Sequence, residues 1–362
     1  MTFIHNNSIT QHISVHDKCI PPKDYLELDD EDMNHESIRK YISMGILEVV
    51  ENPRGLSSVQ FVMDKVEPGG ILLMQRTYAL GDICLVSALI RNILERYPNL
   101  NIHLRTSKEG EPLLRNNPHL TLYPDAEKFR ECIRKYGDFV NMDNLPEVYE
   151  DQLRPDVSEN RIEIMCHILG VEPIHLCPEY YITGSEIETG AKIVSGMEKP
   201  ILGIAPKSRR IEKTWHIEKW VSLVGLWKRM GGSVLVFHDK PLKELVEAGA
   251  KSLHVFDVRT AAAVAYHSDG MVTLDSLWTH LAAALSIPQV LLTSCTDGRL
   301  LSKGYPDTVC VVPDQDCYPC WYNFDVGGCV IGHHSKCLDS IDPEYVSTLA
   351  KGMLECVEAE AV

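Results

Sequence analysis

The sequence predicts an α/β protein of two doubly wound, Rossmann-like domains facing each other across a cleft, with a small N-terminal appendage and a cysteine-rich loop. Three observations predict it. Apolar runs of strand length alternate with amphipathic stretches of helix length. The cycle begins near residue 70 and restarts near residue 200. The 362 residues suffice for two domains of middling size, each with a core. The expected divisions are an appendage over 1–66, a first Rossmann-like domain over 67–196 and a second over 197–362. The last is expected to carry the four-cysteine segment 317–337 and a C-terminal helix.

Residues 1–66 show little material for a core of their own. They hold an acidic stretch, Glu27 to Asp32, and a short helix through Tyr41 that Asn34 or Ser37 would cap and Gly45 would stop. Ile46–Val50 and Val59–Val62 read as short strands. Pro68-Gly69-Gly70 ends the segment. Ile71-Leu72-Leu73-Met74 then has the unbroken apolarity of a parallel strand buried on both faces. A helical pattern over 83–97 and a strand at 101–104 follow, giving the repeating unit of an open sheet. Helices are expected over Glu127–Tyr136 and Glu159–Leu169. After a hinge near Ser195–Pro200, strands are expected at 201–205, 233–237, 253–256, 270–274 and 289–292. Helices are expected at 217–230, 242–250, 260–267 and 276–285 between them. No solenoid-period repeat or low-complexity tract occurs.

The net charge is −16, from 51 acidic and 35 basic residues. That balance argues against a nucleic acid held by its phosphates and against an anionic membrane surface, unless a local basic patch overrides it. The first residues, Met1 to Asn7, lack the basic and apolar regions of a secretory signal. The longest charge-free run, Ser276–Thr296, reads as buried helix and strand rather than a membrane span. The expectation is a cytoplasmic protein with reduced thiols. Eight of its twelve cysteines are scattered, as small core residues would be. Cys317, Cys320, Cys329 and Cys337 are clustered, and such clustering in a reducing compartment suggests a metal.

Four segments could carry chemistry. The loop Arg76–Asp82 joins a strand's carboxyl end to a helix, where open sheets bind ligands. Asp82 there is either a helix N-cap or a general base at the cleft. No G-x-G-x-x-G fingerprint is present. The stretch Lys207-Ser208-Arg209-Arg210-Ile211-Glu212-Lys213 sets four cations after a buried strand in an acidic protein, either as a solvated loop or as a phosphate site. Asp275 and Ser276 end a strand and open a helix whose first backbone N–H groups could cradle a phosphate, with His280 one turn in as core residue or site residue. Cys317-Tyr318-Pro319-Cys320 is a C-x2-C pair that Cys329 and Cys337 could complete as a tetrahedral zinc or iron site, His333 or His334 being possible substitutes. Free thiols or a disulfide are the alternatives. A closed set of four has no open position, so its role would be structural.

Taken in order, these segments resemble the bacterial heptosyltransferase family of glycosyltransferases over residues 70 to about 345. Arg76 through Gly81-Asp82, with Ala88-Leu89-Ile90-Arg91, is similar to the family's first loop and helix. Ile204-Ala205-Pro206 and Lys213-Thr214-Trp215 resemble the opening of its second domain. The most specific match is Asp275-Ser276-Leu277-Trp278-Thr279-His280-Leu281-Ala282-Ala283-Ala284-Leu285, then Pro288. Gly332-His333-His334, Cys337 and Ile341–Glu344 resemble the family's C-terminal part. A subgroup that glycosylates autotransporter proteins carries a four-cysteine iron site in a similar place. The chain departs from the family pattern in placing Leu277-Trp278 where a glycine allows close approach to the donor, and Tyr78-Ala79 in the first loop.

The resemblance implies the two-domain glycosyltransferase B architecture. It implies a nucleoside-diphosphate sugar donor, commonly ADP-heptose, held mainly by the second domain. Asp82 matches the family's general base and Lys213 the lysine that neutralises the diphosphate. Asp275, Ser276 and His280 match donor-side positions, and Lys207, Ser208 and Arg209 are added as donor-binding on the charge of their loop. The expected reaction is inverting transfer of a sugar to a hydroxyl on a glycan or a protein side chain, with a modified DNA base not excluded. No catalytic metal is expected, because cations and helix dipoles neutralise the leaving diphosphate. The metal at the cysteines would be structural zinc or iron. Membrane insertion is not expected, and a homo-oligomer is possible. The alternatives are a non-catalytic binding or assembly module of the same fold, and another nucleotide-sugar enzyme such as an epimerase.

Overall fold

A computed structural model describes residues 2–6, 13–15, 18–20, 25–28, 33–44, 47–50, 59, 62–137, 139–253, 257–321, 329 and 335–360. In the N-terminal segment, β1 (Thr2–Asn6) is the centre of a small antiparallel sheet. β2 (Ile13–Val15) and β3 (Lys18–Ile20) pair with each other. β4 (Tyr25–Leu28) and, after helix α1 (Glu36–Ser43), β5 (Leu47–Val50) flank β1. Ile4, Ile13, Leu28, Ile38 and Leu47 bury against one another as a cluster separate from the rest of the core.

Two local expectations change here. His35 caps α1, its ring Nδ1 accepting from the Ser37 N–H at 3.3 Å, so neither Asn34 nor Ser37 does so. The strand expected at 59–62 is not one: Val59 and Val62 are helical and are buried in the core of the following unit. Apolar residues at 59 and 62 lie three apart, which suits a helix face as well as an alternating strand. Gly45, Asp29 to Asp32, Gln60 and Phe61 lie outside the described residues.

The first large sheet is wholly parallel. β6 (Ile71–Gln75) is followed by α2 (Leu80–Arg96), then β7 (Asn101–Arg105). Next come α3 (Glu111–Leu114), β8 (Leu120–Tyr123), α4 (Ala126–Tyr136) and β9 (Val140–Asn141). The strand order is β8-β7-β6-β9. Three helices, α5 (Leu145–Leu153), α6 (Arg161–Ile168) and α7 (Gly184–Val194), lead out of it. Leu72, Leu73 and Met74 are buried, as the apolar run required.

The second large sheet is also parallel, with six strands. β10 (Ile201–Ile204), α8 (Ile217–Arg229), β11 (Ser233–Phe237), α9 (Lys243–Glu247), β12 (Lys251–Leu253) and α10 (Val258–Ala265) form one wing. β13 (Gly270–Leu274), α11 (Leu277–Ala284), β14 (Gln289–Leu292), α12 (Gly298–Leu301) and β15 (Thr308–Val311) form the other. The order β12-β11-β10-β13-β14-β15 reverses at β10, the doubly wound switch point where ligands bind. After α13 (Lys336–Asp339), the long helix α14 (Pro343–Glu360) packs back on α8, β13 and β14. One expected element is shorter than the pattern suggested: α9 covers 243–247 rather than 242–250. Of the strand expected at 253–256, β12 includes Leu253, and 254–256 lie outside the described residues.

The two sheets are joined by buried contacts. α2 packs on α11, and α7 on α10. At the second contact a Cβ on Gly190 would lie 2.2 Å from the Ala263 carbonyl oxygen, so only glycine allows the backbones to come so close. Arg259 on α10, 2% exposed, ion-pairs with Glu186 and donates to the carbonyls of Pro112 at 2.9 Å and Tyr181 at 2.7 Å. A buried guanidinium needs such a full set of acceptors.

The hydrogen bond from Arg259 holds the Glu186 carboxyl at about 2, below its ordinary 4.5. A depressed acid contributes stability above its unfolded value and loses it as the pH falls through the folded one. Glu186→Gln is therefore expected to be less stable than the parent by roughly 2–3 kcal/mol at pH 7, with the gap closing between about pH 4.5 and pH 2. Urea denaturation across that range checks it, and a gap independent of pH would refute it.

Candidate active site in the cleft

A cleft of about 850 Å³ lies between the two halves, at the carboxyl ends of β6, β10 and β13. The loop after β6 forms one wall. Asp143, beyond β9, pins it by accepting from the Thr77 N–H at 2.6 Å and the Thr77 hydroxyl at 2.8 Å. Ala79 takes up the turn into α2 with φ +54°. Ala79 is the N-cap residue, and Asp82 sits three positions inside the helix without capping it. The Asp82 carboxylate instead lies 3.2 Å from Arg76 and 3.8 Å from Arg161.

Arg76 is 1% exposed and donates to the Met142 carbonyl at 2.7 Å and to Glu147 at 2.8 Å. Arg161 reaches Glu147 at 2.8 Å and Glu150 at 2.6 Å. Burial alone would raise the Glu147 carboxyl, but the Arg161 charge and the Arg76 hydrogen bond outweigh it and hold it at about 2. Asp82 thus stands in an alternating array of acids and guanidiniums.

The opposite wall comes from the second sheet. Ser208, Lys207 and Arg209 follow β10, with Lys207 and Arg209 exposed. The Ser208 hydroxyl donates to the Asp275 carbonyl at 3.0 Å. A single 3-10 turn, Ile211–Lys213, carries the Lys213 ammonium to 2.5 Å from Asp275. The Thr296 hydroxyl donates to the same carboxylate oxygen at 2.5 Å. The two side chains are only 13% and 11% exposed. Burial opposes both charges, yet each holds the other: the lysine is raised and the aspartate lowered from its usual value. Ser276 is the N-cap of α11, but its buried hydroxyl has no hydrogen-bond partner among the described residues.

His280, one turn into α11, is 7% exposed with Nδ1 2.7 Å from the Tyr305 hydroxyl. Burial lowers its pKa, so the ring is neutral at neutral pH. A tyrosine hydroxyl donating to Nδ1 leaves the proton on Nε2. Across the cleft, a Cβ on Gly81 would lie 3.0 Å from His280 Cδ2, so the first turns of α2 and α11 meet at this glycine. Leu277 and Trp278 both line the cleft, and Trp278 lies against Phe237 with ring centroids 4.5 Å apart.

Asp82, Lys207, Ser208, Arg209, Lys213, Asp275, Ser276 and His280 all line this one cleft. The sequence marks Arg76 only as the start of the first loop, and gives no role to Glu147, Glu150, Arg161, Thr296, Tyr305 or Trp321. They are scattered over long chain separations, and no short spacing announces them.

Cys317, Cys320, Cys329 and Cys337 line a second, small cavity of about 20 Å³. A fifth thiol, Cys295, lies with them, although its position in the sequence grouped it with the core cysteines. Burial, with Cys295, Cys317 and Cys337 close by, pushes the Cys320 thiol up to about 12. Ten cysteines, Cys295 and the four clustered ones among them, are free thiols. Among the described residues, no group of three or more His, Cys, Asp or Glu stands in an arrangement that could hold a metal ion. The soft all-thiol set is nonetheless the donor chemistry that zinc or iron accepts. His333, His334 and Gly332 lie outside the described residues.

Two doubly wound domains facing a cleft are the architecture shared by the glycosyltransferases of the B fold. The family model described as glycosyltransferase family 9 (heptosyltransferase) matches residues 147–328, and the chain belongs to that family. Solved structures share the fold. A family 9 glycosyltransferase from Veillonella parvula is 14% identical with a TM-score of 0.60, covering 78% of this chain and 97% of its own. The ADP-heptose LPS heptosyltransferase II of E. coli is 15% identical with a TM-score of 0.58, covering 80% and 99%. The iron-containing dodecameric glycosyltransferase TibC of enterotoxigenic E. coli is 14% identical with a TM-score of 0.61, covering 86% and 79%. No curated protein matches the chain. Among the described residues no helix is long and apolar enough to cross a membrane.

Removing one member of a buried ion pair strands the other. Lys213→Ala is expected to destabilise the fold by about 3 kcal/mol, and Lys213→Ala with Asp275→Ala by clearly less than the two single losses summed. Denaturant titration of the four proteins decides it. Additive losses would show that the pair is not coupled.

Proposed function

We propose that the cleft transfers a sugar, with inversion, from a nucleoside diphosphate to a hydroxyl acceptor. The observation that carries this reading is the opposite charge of the two walls. From the second half come Lys207, Arg209, Arg210 and Lys213 against Asp275. From the first half come Asp82, Glu109, Glu147, Glu150 and Glu159 against Arg161. A diphosphate belongs on the cationic wall, beside the N-terminus of α11 and the unpartnered Ser276 hydroxyl. The acceptor then lies along the acidic wall with its hydroxyl at Asp82.

In the step itself, the acceptor oxygen forms the new bond to the anomeric carbon as its proton passes to the Asp82 carboxylate. The bond from that carbon to the diphosphate oxygen breaks, and the electron pair leaves with the diphosphate. Lys213 and the opening of α11 stabilise the charge that gathers there. Arg76 and Arg161 hold the Asp82 oxygens in place to accept the proton. His280, its Nδ1 paired with the Tyr305 hydroxyl, faces the same cleft.

ADP-heptose is the first donor to test, since structures of E. coli WaaC hold ADP and an ADP-heptose analogue and one of TibC holds ADP-heptose. A sugar or a protein side chain is the proposed acceptor. The acidic wall favours a neutral or cationic acceptor over a phosphorylated one. At the cysteine cavity we propose a structural zinc or iron on Cys317, Cys320, Cys329 and Cys337. The support is the shared cavity and the iron that TibC carries. Such an ion would clamp the loop and has no open position for chemistry. The proposed setting is the cytoplasm, where thiols stay reduced, and a homo-oligomer is proposed from the dodecameric TibC.

Asp82→Asn is expected to lower turnover by at least about 100-fold while leaving donor affinity within a few fold. Lys213→Ala is expected to weaken donor binding as well. Mass spectrometry of products from a panel of nucleotide sugars and acceptors measures the first, and calorimetry the second. Undiminished transfer by Asp82→Asn removes it as the base. Conversion of donor without any acceptor would point to the epimerase class instead.

A further inference from the structure

Trp321 touches both charged walls at once. Its ring centroid lies 4.9 Å from the Lys213 ammonium and 4.7 Å from the Arg210 guanidinium. Its indole N–H donates to Glu150 across the cleft at 3.1 Å. Glu150 in turn holds Arg161, which faces Asp82. The Trp321 backbone N–H donates to the Cys295 carbonyl at 2.9 Å, so the residue is anchored at the edge of the cysteine cavity. A tryptophan face attracts cations, and more strongly where water is excluded. An indole N–H in such a setting needs an acceptor.

We propose that Trp321 is a positioning residue of the transfer reaction, with two separable jobs. Its face holds Lys213 and Arg210 toward the donor diphosphate. Its N–H holds Glu150, and through it Arg161 and Asp82, in line with the acceptor. This rests on the donor reading above. Phenylalanine keeps the face and loses the N–H, while alanine loses both.

The test is calorimetric titration of the full chain, of Trp321→Phe and of Trp321→Ala with ADP, UDP and GDP, alongside melting temperatures. Turnover is measured with whichever donor the parent uses. Trp321→Ala is expected to bind the preferred nucleotide about tenfold more weakly. Trp321→Phe is expected to bind within about twofold of the parent yet to turn over severalfold more slowly at unchanged donor KM. Parent-like nucleotide affinity in a folded Trp321→Ala overturns the proposal. So does a Trp321→Phe variant that loses affinity as fully as alanine, or one that matches the parent in turnover. If the parent binds none of the three nucleotides, the donor reading itself falls, and this proposal with it.

Discussion

The buried pair of Lys213 and Asp275 is the constraint on which the cleft depends. Neither charge would stay alone in so closed a place, because the loss of water is not made up by a protein interior. Together they still leave lone pairs and protons to satisfy. The Thr296 hydroxyl meets the carboxylate, and the Trp321 ring covers the ammonium. These contacts tie the turn after β10, the end of β13, the loop after β14 and the residue beside Cys320 into one rigid knot. The start of α11, with Ser276 and His280, is placed by that knot. Gly81 then lets the first turn of α2 meet it from the other side.

Much of this architecture is legible in the chain. Apolar runs such as Ile71–Met74 and Ile201–Ile204 are of strand length and largely buried, Ile71 alone being exposed, and the helical patterns between them leave parallel pairing as the consistent arrangement. The segments at the carboxyl ends of those strands are the ones that meet in the cleft. What escapes is of two kinds. β8 and β15 are edge strands with half-buried residues, and β9 is two residues long, so none has a pattern to read. α7 carries glycines at 184 and 190 that lower its helical signal, and Gly190 is there for the close approach to Ala263.

The array around Asp82 escapes for a different reason. Arg76, Glu147, Glu150 and Arg161 come from a strand end and two helices, and only the tertiary fold makes them neighbours. From the sequence, Asp82 is either a helix N-cap or a general base. In place it does not cap α2, and a nearly inaccessible guanidinium and a second, partly exposed one face it. In the same way Cys295 carries no mark in the sequence that distinguishes it from a core thiol, though it joins the four clustered cysteines.

Helix α7 precedes the strand β10 that opens the second sheet, yet its tightest packing is onto α10 of that sheet, with Glu186 locked to Arg259. Chain order and physical allegiance therefore disagree over residues 184–194. Hybrids that exchange halves between relatives at a cut near residue 197 would pair a foreign α7 with this α10, and any residue but glycine at position 190 would meet the Ala263 carbonyl. A junction placed before Thr183 would carry helix and docking surface across together, and would leave the Arg259 contacts to the Pro112 and Tyr181 carbonyls as the ones to be rebuilt.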